Sequence, residues 1–125
     1  MPLRRQLGVT TFGMNQIVLE PGQRGRIHRH REQEEVYLVL EGRLTLAVEG
    51  EETTLAGGEL IRVAPDLRRQ LINRHRHRLV CVALGGALEH RGRDGEAFAS
   101  WEAAEPAPPQ EIELPPDLEV SELTD

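Results

Sequence analysis

The stretch Gly22-Gln23-Arg24-Gly25-Arg26-Ile27-His28-Arg29-His30-Arg31-Glu32-Gln33-Glu34-Glu35-Val36-Tyr37-Leu38-Val39-Leu40-Glu41-Gly42 decides how this chain is read. Its first half is polar and carries two histidines at i and i+2. On a strand, such a pair shares one face. Its second half, Val36 to Leu40, is β-branched and apolar, a strand closed by Glu41-Gly42. Glu35 opens that strand, so a hairpin turn brings its carboxylate back towards the two imidazoles. Two imidazoles and one carboxylate with positions left open suit non-haem Fe(II), and also Mn, Ni, Zn or Cu. Arg29 and Arg31 interleave with the histidines, so the same spacing also fits a solvated polar hairpin.

Outward from this stretch, the chain reads as short strands between turn signals. Met14 to Leu19 ends at Glu20-Pro21-Gly22. Leu44, Leu46 and Val48 alternate with Thr45 and Ala47 and stop at Glu49-Gly50. Thr53 to Leu55, Leu60 to Val63, Gln70 to Asn73 and the apolar run Leu79 to Leu84 complete a set of about seven strands. No helical periodicity is sustained between residues 1 and 86. The expected class is all-β, an antiparallel sandwich or barrel. Five prolines between residues 106 and 116 exclude a sheet centre or helix interior there. We therefore expect a β domain over residues 1–93 and an extended, acidic, Pro-rich C-terminal tail over 94–125, anchored by Phe98 and Trp101.

Composition narrows the classes. The chain has 125 residues, 38% hydrophobic and 29% charged, ordinary for one globular domain. No apolar run reaches the length of a membrane helix. One cysteine, Cys81, excludes an intrachain disulfide. Residues 1–6 lack the apolar stretch of a signal peptide, so a cytoplasmic protein is expected. All 15 basic residues are Arg, which rules out lysine Schiff-base chemistry. Residues 94–125 hold ten acidic side chains and no Arg; residues 1–93 hold eleven acidic side chains and all the Arg. The basic body is expected to hold its own acidic tail rather than nucleic acid, for which the four Phe, Tyr and Trp residues are also too few.

The spacing Gly22, five residues, His28-x-His30, four residues, Glu35, six residues, Gly42 resembles the first motif of the cupin superfamily at every fixed position. The family's second motif is half kept. Gly58 and Pro65 stand in place, Leu67 stands where a glycine would be, Gln70 where a histidine would be, and Asn73 falls one residue early. The resemblance covers roughly residues 13–86. It implies a six- to eight-stranded jelly-roll β-barrel with a divalent transition metal inside, held by His28, His30 and Glu35. It also implies Gln70 as a weak fourth ligand or a hydrogen-bonding neighbour of the metal.

Strand parity adds neighbours. Tyr37 and Val39 share a face with Glu35, and Ile72 shares one with Gln70. Tyr37 is the candidate catalytic residue, as general acid or as a hydrogen bond to a substrate oxygen. Glu34, on the opposite face, is expected in solvent, as are Arg62, Arg68 and Arg69. Cys81 reads as a small buried hydrophobe. His75 and His77 read as a turn, and His90 has no role. The family implied hosts enzymes, ligand binders and storage proteins, so fold does not decide function. The expectation is a metal-binding protein acting on or binding a small organic molecule. If an enzyme, it is of dioxygenase, isomerase or decarboxylase type; otherwise it is a non-catalytic ligand binder or sensor. A homodimer is expected, because an edge strand within residues 7–19 favours pairing.

Overall fold

The computed structural model describes residues 1–86 and 94–125; His90 lies outside them. Among the described residues nine strands form two antiparallel sheets. They are β1 (Gly13–Leu19), β2 (Ile27–His30), β3 (Glu34–Glu41), β4 (Arg43–Val48), β5 (Glu51–Ala56), β6 (Leu60–Val63), β7 (Arg69–Ile72), β8 (Leu79–Gly86) and β9 (Gly95–Phe98). One sheet has the order β1-β8-β3-β6 and the other β5-β4-β7-β2-β9. A single short helix, α1 (Arg4–Leu7), precedes β1. No helix of the described residues is long and apolar enough to cross a membrane.

The period-two patterns set which side chains enter the space between the sheets. Leu44 and Leu46 of β4, Leu71 of β7, Tyr37 and Val39 of β3, and Leu79, Cys81 and Ala83 of β8 form one buried core. Burying an aliphatic side chain of this size contributes roughly 1.5–3 kcal/mol, so this cluster dominates the fold's stability. The β8 run is apolar at every position because both its faces are apolar. Its alternate residues Val80, Val82 and Leu84 pair with Val18, Leu38 and Val36 on the outer side of the first sheet. Gly42 carries the tight β3–β4 turn with φ of 78°, and a Cβ there would collide with the Arg78 carbonyl. Only glycine meets both demands at low cost.

Residues 94–125 do more than trail from the barrel. β9 pairs with β2 in register, Ile27 opposite Phe98 and His30 opposite Gly95. Phe98 is buried on the outer side of the second sheet, with the Arg68 guanidinium 3.7 Å from its ring centroid. Arg68 also donates to the carbonyls of Trp101 and Ala103. The expectation that Arg68 is solvated is thus corrected: it latches the chain after β9 onto the sheet. Beyond Pro116 the chain is pinned by directed bonds rather than by diffuse charge attraction. The Leu118 amide donates to the Gly22 carbonyl at 2.8 Å and the Thr124 amide to the Arg74 carbonyl at 2.7 Å.

Candidate metal centre

β2 and β3 are joined by a tight connection, so His28 and His30 face Glu35 across it. His28 Nε2 lies 3.9 Å from Glu35 Oε1, and His30 Nε2 lies 3.3 Å from Glu35 Oε2. One ligand atom from each of the three lies within 4.8 Å of the other two. The imidazoles sit edge to face, with centroids 5.4 Å apart. The three side chains named from spacing therefore converge at one point.

The remaining ring nitrogens decide what this point can bind. His28 Nδ1 faces the Arg26 carbonyl at 3.2 Å, and His30 Nδ1 faces an Asp94 carboxylate oxygen at 2.8 Å. Both partners only accept, so both Nδ1 atoms donate and both neutral rings present an Nε2 lone pair to the centre. A carboxylate behind a ligating histidine fixes its orientation and raises its basicity. Asp94 also accepts the backbone N–H groups of Glu32 and Gln33, tying the turn to the site. These donor atoms fit a divalent cation. Without one, a lone pair facing the Glu35 carboxylate would be repelled unless a proton replaced it.

In the metal-free site the electrostatics favour that proton on His30. Burial alone would raise the Glu35 carboxyl, but the neighbouring His28 and His30 rings and the Tyr37 hydroxyl outweigh it and hold the group well below the usual carboxylate range. Burial opposes charge on His30 too, yet Glu35 and Asp94 together raise its pKa above the ordinary value. Asp94 is lowered despite its burial, by the Glu32 and Gln33 amides and by His30. Burial and the Glu35 charge push the Tyr37 phenol well up, so it stays protonated and donates to Glu35 Oε1. Its proton is engaged by a candidate ligand, which makes Tyr37 a positioning residue for Glu35. Cys81, buried in the same interior, is pushed up to about 11 by burial first and Glu35 second. It is a protonated, inert thiol.

Gln70 does not join this group. Its side-chain amide donates to the Gly25 carbonyl at 3.0 Å. It lines a cavity of about 600 Å³ on the outer side of the second sheet, with Phe98, Trp101 and residues 111–116. The physical reason is register. Leu46 of β4 pairs with Leu71, which fixes Leu71 inward and sends Gln70 and Ile72 out. The same parity turns Arg69 inward. Arg69 is wholly buried, opposite His28, with Nε 3.8 Å from Glu35 Oε1. The expected solvated Arg69 and the expected metal-side Gln70 are both corrected by this one alternation.

Of the other candidates, Glu34 and Arg62 are exposed and pair with each other. His75 is buried against Thr124 and Asp125 in the connection between β7 and β8, and His77 is exposed. The site opens into a cleft of about 740 Å³, with His30, Gln33 and Glu35 on its floor and Arg4 and Arg5 of α1 on its wall. That size suits a small organic ligand. A Cβ on Gly85 would press on Gln33 Oε1 at 3.1 Å and touch Glu35 Oε2 at an ordinary 3.7 Å, so the floor is closely packed at Gln33.

Comparison with known proteins identifies the fold. A family model described as a cupin domain matches residues 15–85. A sugar phosphate isomerase of the cupin superfamily from Silicibacter pomeroyi is similar at 29% identity and a TM-score of 0.67, over 80% of this chain and 63% of that one. The chain thus spans less than two thirds of that protein's length. A cupin protein from Bacteroides fragilis is similar at 24% identity and a TM-score of 0.65, over 75% and 83% of the two chains. A Cupin 2 conserved barrel domain protein from Salinispora arenicola is similar at 22% identity and a TM-score of 0.58, over 63% and 66%. The last two likenesses speak for the fold alone. No curated protein matches the sequence.

Proposed function

The chain belongs to the cupin family, and on that footing we propose that it is a metal-dependent protein acting on a small oxygen-bearing organic molecule inside its barrel. His28, His30 and Glu35 hold one divalent transition metal, and the ligand enters through the cleft beside α1. The observation that carries this reading is the pair of fixed imidazoles, each donating through Nδ1 and aiming Nε2 at Glu35. Such a metal supplies a Lewis acid that polarises a ligand oxygen. Asp94 holds His30 in its ligating orientation, and Tyr37 fixes the Glu35 carboxylate. Burial of Glu35 and Tyr37 keeps water from competing for these contacts.

Among the reaction types open to such a centre, we favour isomerisation by proton relocation, because a similar protein is a sugar phosphate isomerase. One observation favours the alternative, a non-catalytic ligand binder. The Tyr37 proton is committed to Glu35 rather than offered to the cleft. In the same reading the chain is a cytoplasmic homodimer, paired through the outer face of the first sheet.

The test is elemental analysis of protein purified without added metal and then reloaded, beside His28→Ala. The reading expects about one equivalent of metal in the wild type and a large loss in the variant. A wild type that takes up no metal overturns it. A metal-loaded wild type that converts no member of a panel of hydroxy and oxo compounds, followed by NMR, favours the binder.

A further inference from the structure

Arg69 has no equivalent in the three-ligand description, and it is the least expected group in the barrel. Its side chain is wholly shielded from solvent. Nη1 donates to the Leu67 carbonyl at 2.8 Å. Nε and Nη2 are buried and donate no hydrogen bond, with the Tyr37 hydroxyl and the Glu35 carboxylate as their polar neighbours. These two nitrogens form one edge of the guanidinium, the edge whose parallel N–H groups match the two oxygens of a carboxylate. A buried polar group left unsatisfied costs free energy, more so when charged, so such an edge calls for a partner. Glu35 is close enough for attraction, at 3.8 Å from Nε, and too far to accept a hydrogen bond.

Charge argues the same way. Among the described residues Glu35 is the one acidic side chain that pairs with Arg69, and it is also a ligand of the proposed metal. Adding a divalent cation to Glu35 and Arg69 leaves the interior with excess positive charge and Arg69 without a counter-ion. A bound anion restores the balance. Arg69 pairs with His28 across β2 and β7 and lies against Glu35, which sets its free edge beside the three-ligand centre that the cleft opens onto.

We propose that Arg69 is the anion-binding residue of this site, its Nε and Nη2 edge receiving the carboxylate of a small 2-hydroxy or 2-oxo acid whose neighbouring oxygen lies at the three-ligand centre. The inference rests on the metal reading above and names the ligand class of that same site. It is distinct from the sugar-like ligands suggested by likeness alone.

The experiment is calorimetric titration of glycolate into metal-loaded wild type, Arg69→Gln and Arg69→Lys, with metal content and thermal melting measured on each sample. Inorganic phosphate and uncharged ethylene glycol are titrated in parallel. Wild type is expected to bind glycolate in preference to both. The two variants are expected to bind it about tenfold more weakly or worse at unchanged metal content, since Lys keeps the charge and loses the fork. Equal glycolate affinity in wild type and Arg69→Lys overturns the proposal, as does a metal-loaded wild type that binds no glycolate. Tighter binding of phosphate overturns the carboxylate assignment. A wild type without metal fails the earlier reading instead. The metal-free proteins then decide on Arg69, whose substitution must still weaken glycolate binding. If Arg69→Gln does not fold, wild type and Arg69→Lys carry the test.

Discussion

His30 donates its Nδ1–H to Asp94, 2.8 Å away in space and 64 positions along the chain. This contact joins the segment after residue 93 to the proposed metal centre. It makes β9 part of the site's support, because β9 pairs with β2 immediately beside it.

Removing that support should weaken the site without removing a ligand. Asp94→Ala is expected to lower metal affinity by roughly 10–100-fold, the usual effect of losing a partner behind a ligating histidine. Competition titration against a chromophoric chelator measures it. Metal affinity equal to wild type in a folded Asp94→Ala protein would show that His30 needs no such orientation.

Gln70→His is expected to leave metal affinity unchanged, because position 70 faces the cavity under residues 111–116 and not the interior. The same titration checks it. A clear gain in affinity would mean that β7 is shifted by one residue from the register described.

The metal-free protein should respond to pH through His30. Its folded pKa is raised, so its contribution is fully present below the unfolded value of 6.5 and is lost as pH rises through the folded value. Glu35 and Asp94 are lowered, so theirs is present above the ordinary carboxylate range and lost on acidification. The melting-temperature difference between metal-free wild type and His30→Asn should therefore shrink from pH 6 to pH 9. With metal added the sense reverses, since metal displaces the His30 proton and binds more tightly as pH rises. A difference that grows with pH in the metal-free pair would contradict the assignment.

The barrel and three of its polar interior residues were legible because they obey local rules. Alternation put His28 and His30 on one face, and the glycine-bounded hairpin returned Glu35 to them. The same rule failed at β7, where spacing pointed to Gln70. Which of two adjacent residues faces inward there is set by pairing with β4, a partner more than twenty residues away. By composition alone Arg69 belongs in solvent, as isolated arginines usually do. Asp94 left no signal at all, because nothing in its neighbourhood marks it as a partner of His30. The acidic, Pro-rich composition of the C-terminal segment indicates only that it is extended, while its backbone bonds to Gly22 and Arg74 depend on the finished barrel.

The outer face of the first sheet predicts an association. Val18, Leu60, Leu38 and Val82 share that face, and Val18 and Leu60 are strongly exposed. Exposed apolar side chains on one sheet face, here beside the Glu34–Arg62 pair, are the kind of surface that a second copy would cover. Sedimentation equilibrium is expected to give the mass of two chains at micromolar concentration, and Leu38→Glu the mass of one. A wild type at one chain's mass across that range would remove the dimer from the account.

The most direct measurement of the central claim is an anomalous-scattering map from a crystal of the protein reconstituted with Mn or Fe. The account predicts one peak within about 2.0–2.2 Å of His28 Nε2, His30 Nε2 and a Glu35 oxygen. No peak there, or a peak only at His75 and His77, would contradict it.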